Sequence, residues 1–224
     1  MSPSQKRLFL EKMTYHLPHT TREVLILDTP HMRGRALDLG AGTGKYKKYI
    51  VPHVHSYVGC DMFPGENIDV VTDVHDLPFE DDSFDTVVCT QVLEHVERPW
   101  EVVAEIARVL APGGRCILTT PFLESYHAVP HDYFRYTTEG GESLFKNVGM
   151  NIIKLEKYGG VGVVLAEMWK FAFCSPHDYT HPGFFRRNIY RVVHKLLCTI
   201  SNHPNEKSLM YANIHIVAEK PALV

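Results

Sequence analysis

The sequence predicts a doubly wound α/β fold in which seven strands form one sheet. Seven short apolar runs occur in the 224 residues, at 36–39, 56–60, 69–72, 85–90, 115–120, 151–157 and 213–219. Between the fourth and fifth runs, the apolar residues of PWEVVAEIARVLAPGG repeat at helical period, which indicates a crossover helix ended by Pro112-Gly113-Gly114. Strands joined by such crossovers are parallel and covered on both faces, and this arrangement defines the fold class.

The predicted sheet forms a core with an appendage before it and an insertion within it. The expected parts are N-terminal helices in 1–32 (at 4–17 and 20–28), a core at 33–159 and 213–224, and a helical insertion at 160–212. The N-terminal helices would cover or buttress the core. Between the second and third strands, DMFPGENI is too short for a crossover helix, so a tight loop is expected there.

The composition is that of an ordinary folded protein. Apolar residues make up 45% of the chain and charged residues 22%, close to the averages of globular domains. A net charge of −3 provides no overall basic field for phosphate backbones, which disfavours DNA or RNA as a partner. The five cysteines form no CxxC pair, and no run has the apolar length of a membrane span. We therefore expect a cytoplasmic protein whose thiols are reduced.

The stretch ALDLGAGTGKY predicts a strand that opens onto a ligand. Its glycines, Gly40, Gly42 and Gly44, follow the spacing G-x-G-x-G, which differs from the G-x-G-x-x-G of dinucleotide-binding turns. Asp61 ends the second predicted strand, where a carboxylate can accept hydrogen bonds from both hydroxyls of a ribose. Asp73 ends the third predicted strand, where it can accept a hydrogen bond from an adenine amino group. Glycine turns also occur for packing alone, which is the structural alternative.

Four segments together resemble the class I S-adenosylmethionine-dependent methyltransferases of the type 11 group: LDLGAGTG, GCDMF, TDVHDLPFEDDSFDTVVCTQVLEHV and VLAPGGRCILTTP. The resemblance implies a Rossmann-like sheet of order 3-2-1-4-5-7-6 with the last strand antiparallel. It also implies S-adenosylmethionine as cofactor and S-adenosylhomocysteine as its product, with Asp38 beneath the methionine amine, Asp61 on the ribose and Met62 against the adenine. The other implied cofactor contacts are Gly40, Ala41, Gly42, Gly44, Tyr46, Asp73, Val74 and Gln91.

The segment PFLESYHAVPHDYFRYTTEG, after the fifth strand, is the predicted acceptor side. A sulfonium donor requires alignment of the nucleophile, and a hydroxyl nucleophile also requires a base, for which histidine is the usual choice. His131 is the first candidate, His127 the second, and His95, in VLEHV after the fourth strand, the third. The groups expected to orient the base, hold an anion or face the sulfonium are Asp132, Tyr133 and Arg135.

Two alternatives remain for this segment. In the structural one, Arg135 pins the loop, and Thr137 or Thr138 caps the helix that follows. In the other, histidines and aspartates bind a metal ion, but no ligand pair has a convincing spacing, so no metal is expected.

The leading functional hypothesis is methyl transfer to a small molecule, with oxygen favoured over nitrogen or carbon as the methylated atom. Residues 121–217 look, more loosely, like bacterial or archaeal methyltransferases of glycan and small-molecule biosynthesis. The alternatives are a cofactor-binding or scaffold module without turnover and a nucleic-acid methyltransferase. The last is disfavoured because Thr90-Gln91-Val92-Leu93 stands where an Asn-Pro-Pro-Tyr-like tetrad is expected.

Residues 184–200, FFRRNIYRVVHKLLCTI, predict a basic amphipathic helix. The helix either packs on the sheet with its charges solvated or contacts an anionic membrane surface. The second alternative would place the protein at the membrane periphery and suit a lipid- or sugar-linked acceptor.

Overall fold

A computed structural model describes residues 20–128, 130–173, 184–199 and 207–222. Within them, seven strands form one sheet of order β3-β2-β1-β4-β5-β7-β6. The strands are β1 (Arg35–Leu39), β2 (Ser56–Asp61), β3 (Val70–Val71), β4 (Phe84–Thr90), β5 (Leu110–Pro121), β6 (Asn151–Tyr158) and β7 (Asn213–Glu219). Neighbours among β1 to β5 are parallel, whereas β7 runs antiparallel to both β5 and β6. The predicted sheet order and antiparallel last strand are confirmed.

The helices of the described residues lie before, between and after these strands. They are α1 (Thr21–Leu27), α2 (Lys47–Ile50), α3 (Pro99–Val109), α4 (Thr138–Asn147), α5 (Val161–Phe173) and α6 (Phe184–Thr199), with 3-10 helices at Thr29–His31, Val51–His53 and Leu93–His95. None of these described helices is long and apolar enough to cross a membrane. α1 corresponds to the predicted helix at 20–28, whereas the predicted helix at 4–17 lies outside the described residues. α5 and α6 pack against each other in the predicted insertion.

Both faces of the sheet are buried at its centre. Leu37 and Leu39 of β1 join the larger apolar cluster, which includes residues of α3 and α4. Ala36 points to the other face and joins a smaller cluster with Leu25 of α1 and Ile50 of α2. Alternate residues leave a strand on opposite faces, and a central parallel strand is covered on both. This packing is the doubly wound arrangement that the sequence predicts.

Two strand boundaries differ from the prediction. α3 ends at Val109 and β5 begins at Leu110, so the Pro-Gly-Gly predicted to end the helix lies inside the strand. Leu110 is fully buried and pairs with Phe84 of β4 ahead of a register shift, and this pairing starts the ladder early. β3 is shorter than predicted, with only Val70–Val71 in the ladder.

The loop between β2 and β3 is short, as predicted, and packs on the glycine turn. Asn67 donates a hydrogen bond from Nδ2 to the carbonyl of Thr43 at 3.2 Å. Its side chain also covers Gly44. The loop therefore joins the two segments that the sequence assigns to the cofactor.

α1 is anchored to β6 and β7, at one edge of the sheet. Asp28, at its carboxyl end, is fully buried, contacts His215 of β7 and lies 3.2 Å from Nζ of Lys154 of β6. The hydroxyls of Thr21 and of Tyr158 of β6 lie 3.1 Å apart. Because Tyr158 also accepts a hydrogen bond from Gln91 at 3.4 Å, these contacts hold α1 near the carboxyl end of β4.

Candidate active site

The three glycines after β1 all have left-handed backbone conformations, with φ of 70°, 58° and 69° at Gly40, Gly42 and Gly44. A Cβ at Gly40 would lie 2.4 Å from Val92, and one at Gly44 would lie 2.4 Å from Asn67. A Cβ at Gly42 would have no heavy atom within 4 Å. Packing therefore explains the absence of side chains at Gly40 and Gly44, whereas Gly42 borders open space that a ligand can enter.

The carboxylate of Asp61 is oriented by the backbone. Its Oδ2 accepts the N–H of Gly42 at 2.9 Å, and its Oδ1 accepts the N–H of Phe63 at 3.0 Å. The N–H groups of Gly40 and Ala41 both donate to the carbonyl of Cys60 at 2.9 Å, which fastens the turn to the end of β2. Each carboxylate oxygen can accept a further hydrogen bond. Asp61 is thus held in place with acceptor capacity left for a ligand.

Asp38 is a buried acid on β1. Its side chain accepts a hydrogen bond from the hydroxyl of Tyr57 at 2.8 Å, and the absence of a side chain at Gly59 leaves room for that hydroxyl. Burial raises the pKa of Asp38 to about 6, an effect that the nearby Asp61 reinforces and the Tyr57 hydrogen bond opposes. Asp38 is therefore mostly ionised at neutral pH but close to its titration range.

The residues assigned to the adenine lie at the ends of β2 and β3. Asp73 accepts the backbone N–H of His75 at 2.9 Å, and this bond, with that from the His75 ring, lowers the pKa of Asp73. The side chain of Val74 packs in the larger cluster, so only its backbone can face a ligand. Met62 is 55% exposed, beside a similarly exposed Phe63 that the sequence did not single out.

Gln91 joins the ends of three strands. Its backbone φ of 56° is unusual for a residue other than glycine. Its amide Nε2 donates to Oγ1 of Thr119 on β5 and to Oδ1 of Asn213 on β7, each at 3.2 Å. These bonds fix the side chain at the carboxyl end of β4, where the resemblance places the methionine part of the cofactor.

Two cavities adjoin at this end of the sheet. The first has a volume of about 570 Å³ and is lined by residues that include Thr21, Lys45, Tyr46, Gln91, Tyr158 and Asn213. The second has a volume of about 400 Å³ and lies between the segment after β5 and α5, where Phe122, Leu123, Val164 and Met168 line it. Glu124 and Glu167 line both cavities. The predicted cofactor residue Tyr46 and the predicted acceptor segment thus border adjoining spaces.

A buried ion pair pins the segment after β5. The side chain of Asp132 is 1% exposed and forms a two-pronged pair with Arg135, one of whose nitrogens lies 2.7 Å from Oδ2 of Asp132. Arg135 also donates to the carbonyls of Glu124 and Ser125 at 3.1 and 3.0 Å. The Arg135 hydrogen bonds lower the pKa of Asp132 to about 2. The structural alternative is formed, since Thr137 also caps α4 by accepting the N–H of Gly140.

The three candidate histidines occupy different positions. The rings of His95 and His127 lie 5.0 Å apart and nearly perpendicular, whereas the His131 side chain is exposed and its ring lies 5.6 Å from that of Tyr133. The expected support of His131 by Asp132 is not formed, because Asp132 is bound to Arg135 and to the N–H of His127 at 2.8 Å. Burial lowers the pKa of His95, which favours its neutral form.

Glu94 is a buried acid that the sequence analysis missed. It is fully buried in the 3-10 helix after β4, and burial raises its pKa to about 8. Its Oε2 accepts the hydroxyl of Thr120 at 3.3 Å, whereas its Oε1 has no hydrogen-bond partner and lies 3.8 Å from Nε2 of His95. Its carbonyl accepts the N–H of Tyr133 at 2.7 Å. An acid within the apolar run VLEHV was the available signal.

Comparisons with known proteins find methyltransferases. Residues 37–118 match the model of a family described as "Methyltransferase domain". A demethylmenaquinone methyltransferase of Clavibacter sepedonicus is 32% identical over 145 residues, 59% of this chain and 58% of that protein. A probable tRNA methyltransferase 9B of Mus musculus is 38% identical over 93 residues, 36% of this chain and 20% of that protein.

Solved structures share the fold at low identity. The [4+2]-cyclase SpnF superposes with a TM-score of 0.60 at 18% identity, over 90% of this chain and 80% of that one. The chain spans 58% of the length of the curated relatives it matches first. The family match and the relatives identify a methyltransferase domain in this chain, and the shared fold is consistent with a class I S-adenosylmethionine-dependent methyltransferase. The match to a methyltransferase domain supports S-adenosylmethionine as the cofactor of that domain.

Proposed function

We propose that this protein binds S-adenosylmethionine at the carboxyl ends of β1 to β4 and transfers its methyl group to a small-molecule acceptor, preferably to an oxygen atom. When bound, S-adenosylmethionine supplies an electrophilic methyl group on a sulfonium. Such a donor needs no strong nucleophile, so the chain's main tasks are to align the acceptor and to exclude water.

The orientation of Asp61 is the observation that carries the proposal. A ribose presents two neighbouring hydroxyls, and Asp61 is held by Gly42 and Phe63 with both oxygens still able to accept. The open space above Gly42 lets a ligand approach the backbone of the turn. Asp38, buried behind the turn, provides a negative charge suited to the methionine ammonium. The residues thus fit both polar ends of the cofactor.

The acceptor side is proposed to be the segment after β5 with the residues that face it from β4. The adjoining cavity is lined by Phe122, Leu123, Val164 and Met168, which favours an acceptor with an apolar part. Of the three histidines, His95 and His127 support a role near the reacting oxygen better than His131, because they lie together beside Glu94. A neutral imidazole whose lone pair is not bound to a metal ion can accept the proton of a hydroxyl group.

The demethylmenaquinone methyltransferase supports a small-molecule acceptor, since its name states one. The likeness to a probable tRNA methyltransferase favours a nucleic-acid acceptor as the second candidate, but it covers only 20% of that protein. The net charge of −3 argues against the second candidate. One fold can host unrelated functions, as the likeness to a [4+2]-cyclase illustrates, so a binding module without methyl transfer is the third candidate.

A membrane role for residues 184–200 stays a proposal. Ile189, Val192 and Leu196 of α6 are 37%, 68% and 57% exposed, and their spacing places them on one side of the helix. An exposed apolar stripe supports contact with a lipid surface or a lipid-linked acceptor. Sedimentation of the protein with anionic vesicles at low salt is the expected behaviour, and a protein that stays in the supernatant would contradict it.

Calorimetric titration tests cofactor binding. S-adenosylmethionine and S-adenosylhomocysteine should each bind wild-type protein at one site, and Asp61→Ala should raise both dissociation constants at least tenfold, because each hydrogen bond to a charged group contributes about 1.5–3 kcal/mol. Glu66→Ala is the matched control, since it removes an exposed carboxylate from the same loop. Equal affinities in the Asp61 variant and the wild type would reject the assignment. Transfer of a labelled methyl group to a small-molecule fraction would then separate an enzyme from a binding module.

A further inference from the structure

Three potential metal ligands converge where the 3-10 helix after β4 meets the segment after β5. One carboxylate oxygen of Glu94 and one ring nitrogen from each of His95 and His127 lie within 4.8 Å of one another. Glu94 and His95 come from the 3-10 helix after β4, and His127 comes from the segment after β5. Two segments far apart in sequence therefore contribute to one cluster, which spacing along the chain could not reveal.

The buried carboxylate is aimed into the cluster. Oε1 of Glu94 has no hydrogen-bond partner although the side chain is fully buried, and its nearest cluster atom is Nε2 of His95 at 3.8 Å. A buried polar atom without a partner is costly, so such an atom indicates a missing ligand. Its other oxygen is held by Thr120 at 3.3 Å, which fixes the direction of the first.

Both histidines are oriented as metal ligands usually are. Nδ1 of His95 lies 2.6 Å from the carbonyl of His131, and Nδ1 of His127 lies 2.8 Å from the carbonyl of Ser125. A carbonyl only accepts, so each Nδ1 carries the proton and each Nε2 presents a lone pair. Backbone carbonyls that fix the ring and the tautomer in this way are typical partners of metal-bound histidines.

We propose that Glu94, His95 and His127 bind a divalent transition-metal ion, such as Zn²⁺ or Mn²⁺, whose remaining coordination positions take oxygen atoms of the acceptor. One carboxylate oxygen and two imidazole nitrogens suit these ions. Two ligands on a tetrahedral ion with bonds of about 2.1 Å lie about 3.4 Å apart, close to the spacing of Glu94 and His95. His127, on the segment after β5, would close the remaining distance.

The surroundings tolerate a cation. The positive charge of Arg135 is paired with Asp132, and Oδ2 of Asp132 lies 3.8 Å from Nδ1 of His127. The 3-10 helix that carries two of the ligands is preceded by Val92, which packs over Gly40 of the glycine turn. The acceptor role of the cation rests on the proposed function, whereas cation binding does not.

Titration of chelator-treated protein with ZnCl₂ and with MnCl₂ tests the site without any acceptor. We expect one equivalent of at least one of these ions to bind the wild type, and His95→Ala, His127→Ala and Glu94→Gln each to weaken binding at least tenfold. His55→Ala is the control for non-specific binding of the ion by exposed histidines, since His55 is exposed and lies before β2. This variant should bind the ion as the wild type does. Glu94→Gln and a second variant, His127→Gln, preserve side-chain size if the alanine variants unfold.

Two results would overturn the proposal: neither ion binds the wild type, or the cluster variants bind as tightly as the wild type. S-adenosylhomocysteine titrated into the same samples separates this proposal from the proposed function. Cation binding without cofactor binding would support the site and contradict the proposed function. Cofactor binding without cation binding would support the proposed function and contradict the metal site.

Discussion

The cofactor side and the acceptor side of the cleft are built in different ways. On the cofactor side, Asp61 and Asp38 are held by partners 19 residues away, and the backbone of the glycine turn borders open space at Gly42. On the acceptor side, His95 reaches a carbonyl 36 residues later, and the side chains of Glu94 and His127 come together from two separate segments. A site built from the local backbone is visible in sequence, whereas one built from distant side chains becomes visible only in the fold.

Substitutions at two glycines should have separable effects on the cofactor side: one should lower the stability of the protein, and the other should weaken cofactor binding. Gly40→Ala should destabilise the protein by about 2–5 kcal/mol, because strain of the left-handed conformation adds to the clash with Val92. Gly42→Ala meets no neighbour and should cost only about 1–2 kcal/mol, but its methyl group enters the proposed cofactor space. Denaturant unfolding measures the first effect, and titration with S-adenosylhomocysteine the second. Equal unfolding free energies for the two variants would contradict the packing assigned to Gly40.

Substitution of Arg135 should destabilise the segment after β5, on the acceptor side. Arg135→Ala leaves the carboxylate of Asp132 buried without its partner, and we expect a loss of about 3 kcal/mol in unfolding free energy, the low end for buried pairs because the Arg135 side chain is 25% exposed. Arg98→Ala is the matched control, since its pair with Glu101 is largely exposed and should contribute at most about 1 kcal/mol. Similar losses in the two variants would mean that the Asp132 pair does not pin the segment.

The pH dependence of cofactor binding tests whether the charge of Asp38 contributes to the affinity. Because its pKa is raised to about 6, Asp38 loses its charge below pH 6, and the affinity for S-adenosylhomocysteine should fall by up to about tenfold per pH unit there. Asp38→Asn should bind more weakly at pH 7 and lose this dependence.

The same raised pKa has a stability consequence of opposite sign. The folded protein retains this proton more tightly than the unfolded chain, so the contribution of Asp38 to stability falls as pH rises from about 4 to about 6. The unfolding free energy of Asp38→Asn, relative to wild type, should therefore increase over this range. A constant difference between the two proteins would contradict the assignment.

The fold and the cofactor side could largely be predicted from the sequence because their signals are local. Most strands begin and end close to an apolar run, and the acids Asp38 and Asp61 lie at strand ends, where α/β sheets bind ligands. The extent of β5 could not be predicted, because the pairing of Leu110 with Phe84 depends on the neighbouring strand.

The acceptor side was predicted only as a region. His131 was placed first because Asp132 follows it, but neighbouring residues of a non-helical segment point in different directions, and Asp132 turns to Arg135. Glu94 was missed because an acid beside a histidine is common, whereas its burial and its approach to His127 depend on how β4 and the segment after β5 meet.

A crystal structure of the complex with S-adenosylhomocysteine tests most directly the claim that the two sides share one cleft. We predict ribose hydroxyls on Asp61, the adenine beside Met62, the amine near Asp38 and the sulfur facing the space next to His95 and His127. A cofactor bound elsewhere, or one whose sulfur faces away from these histidines, would contradict it.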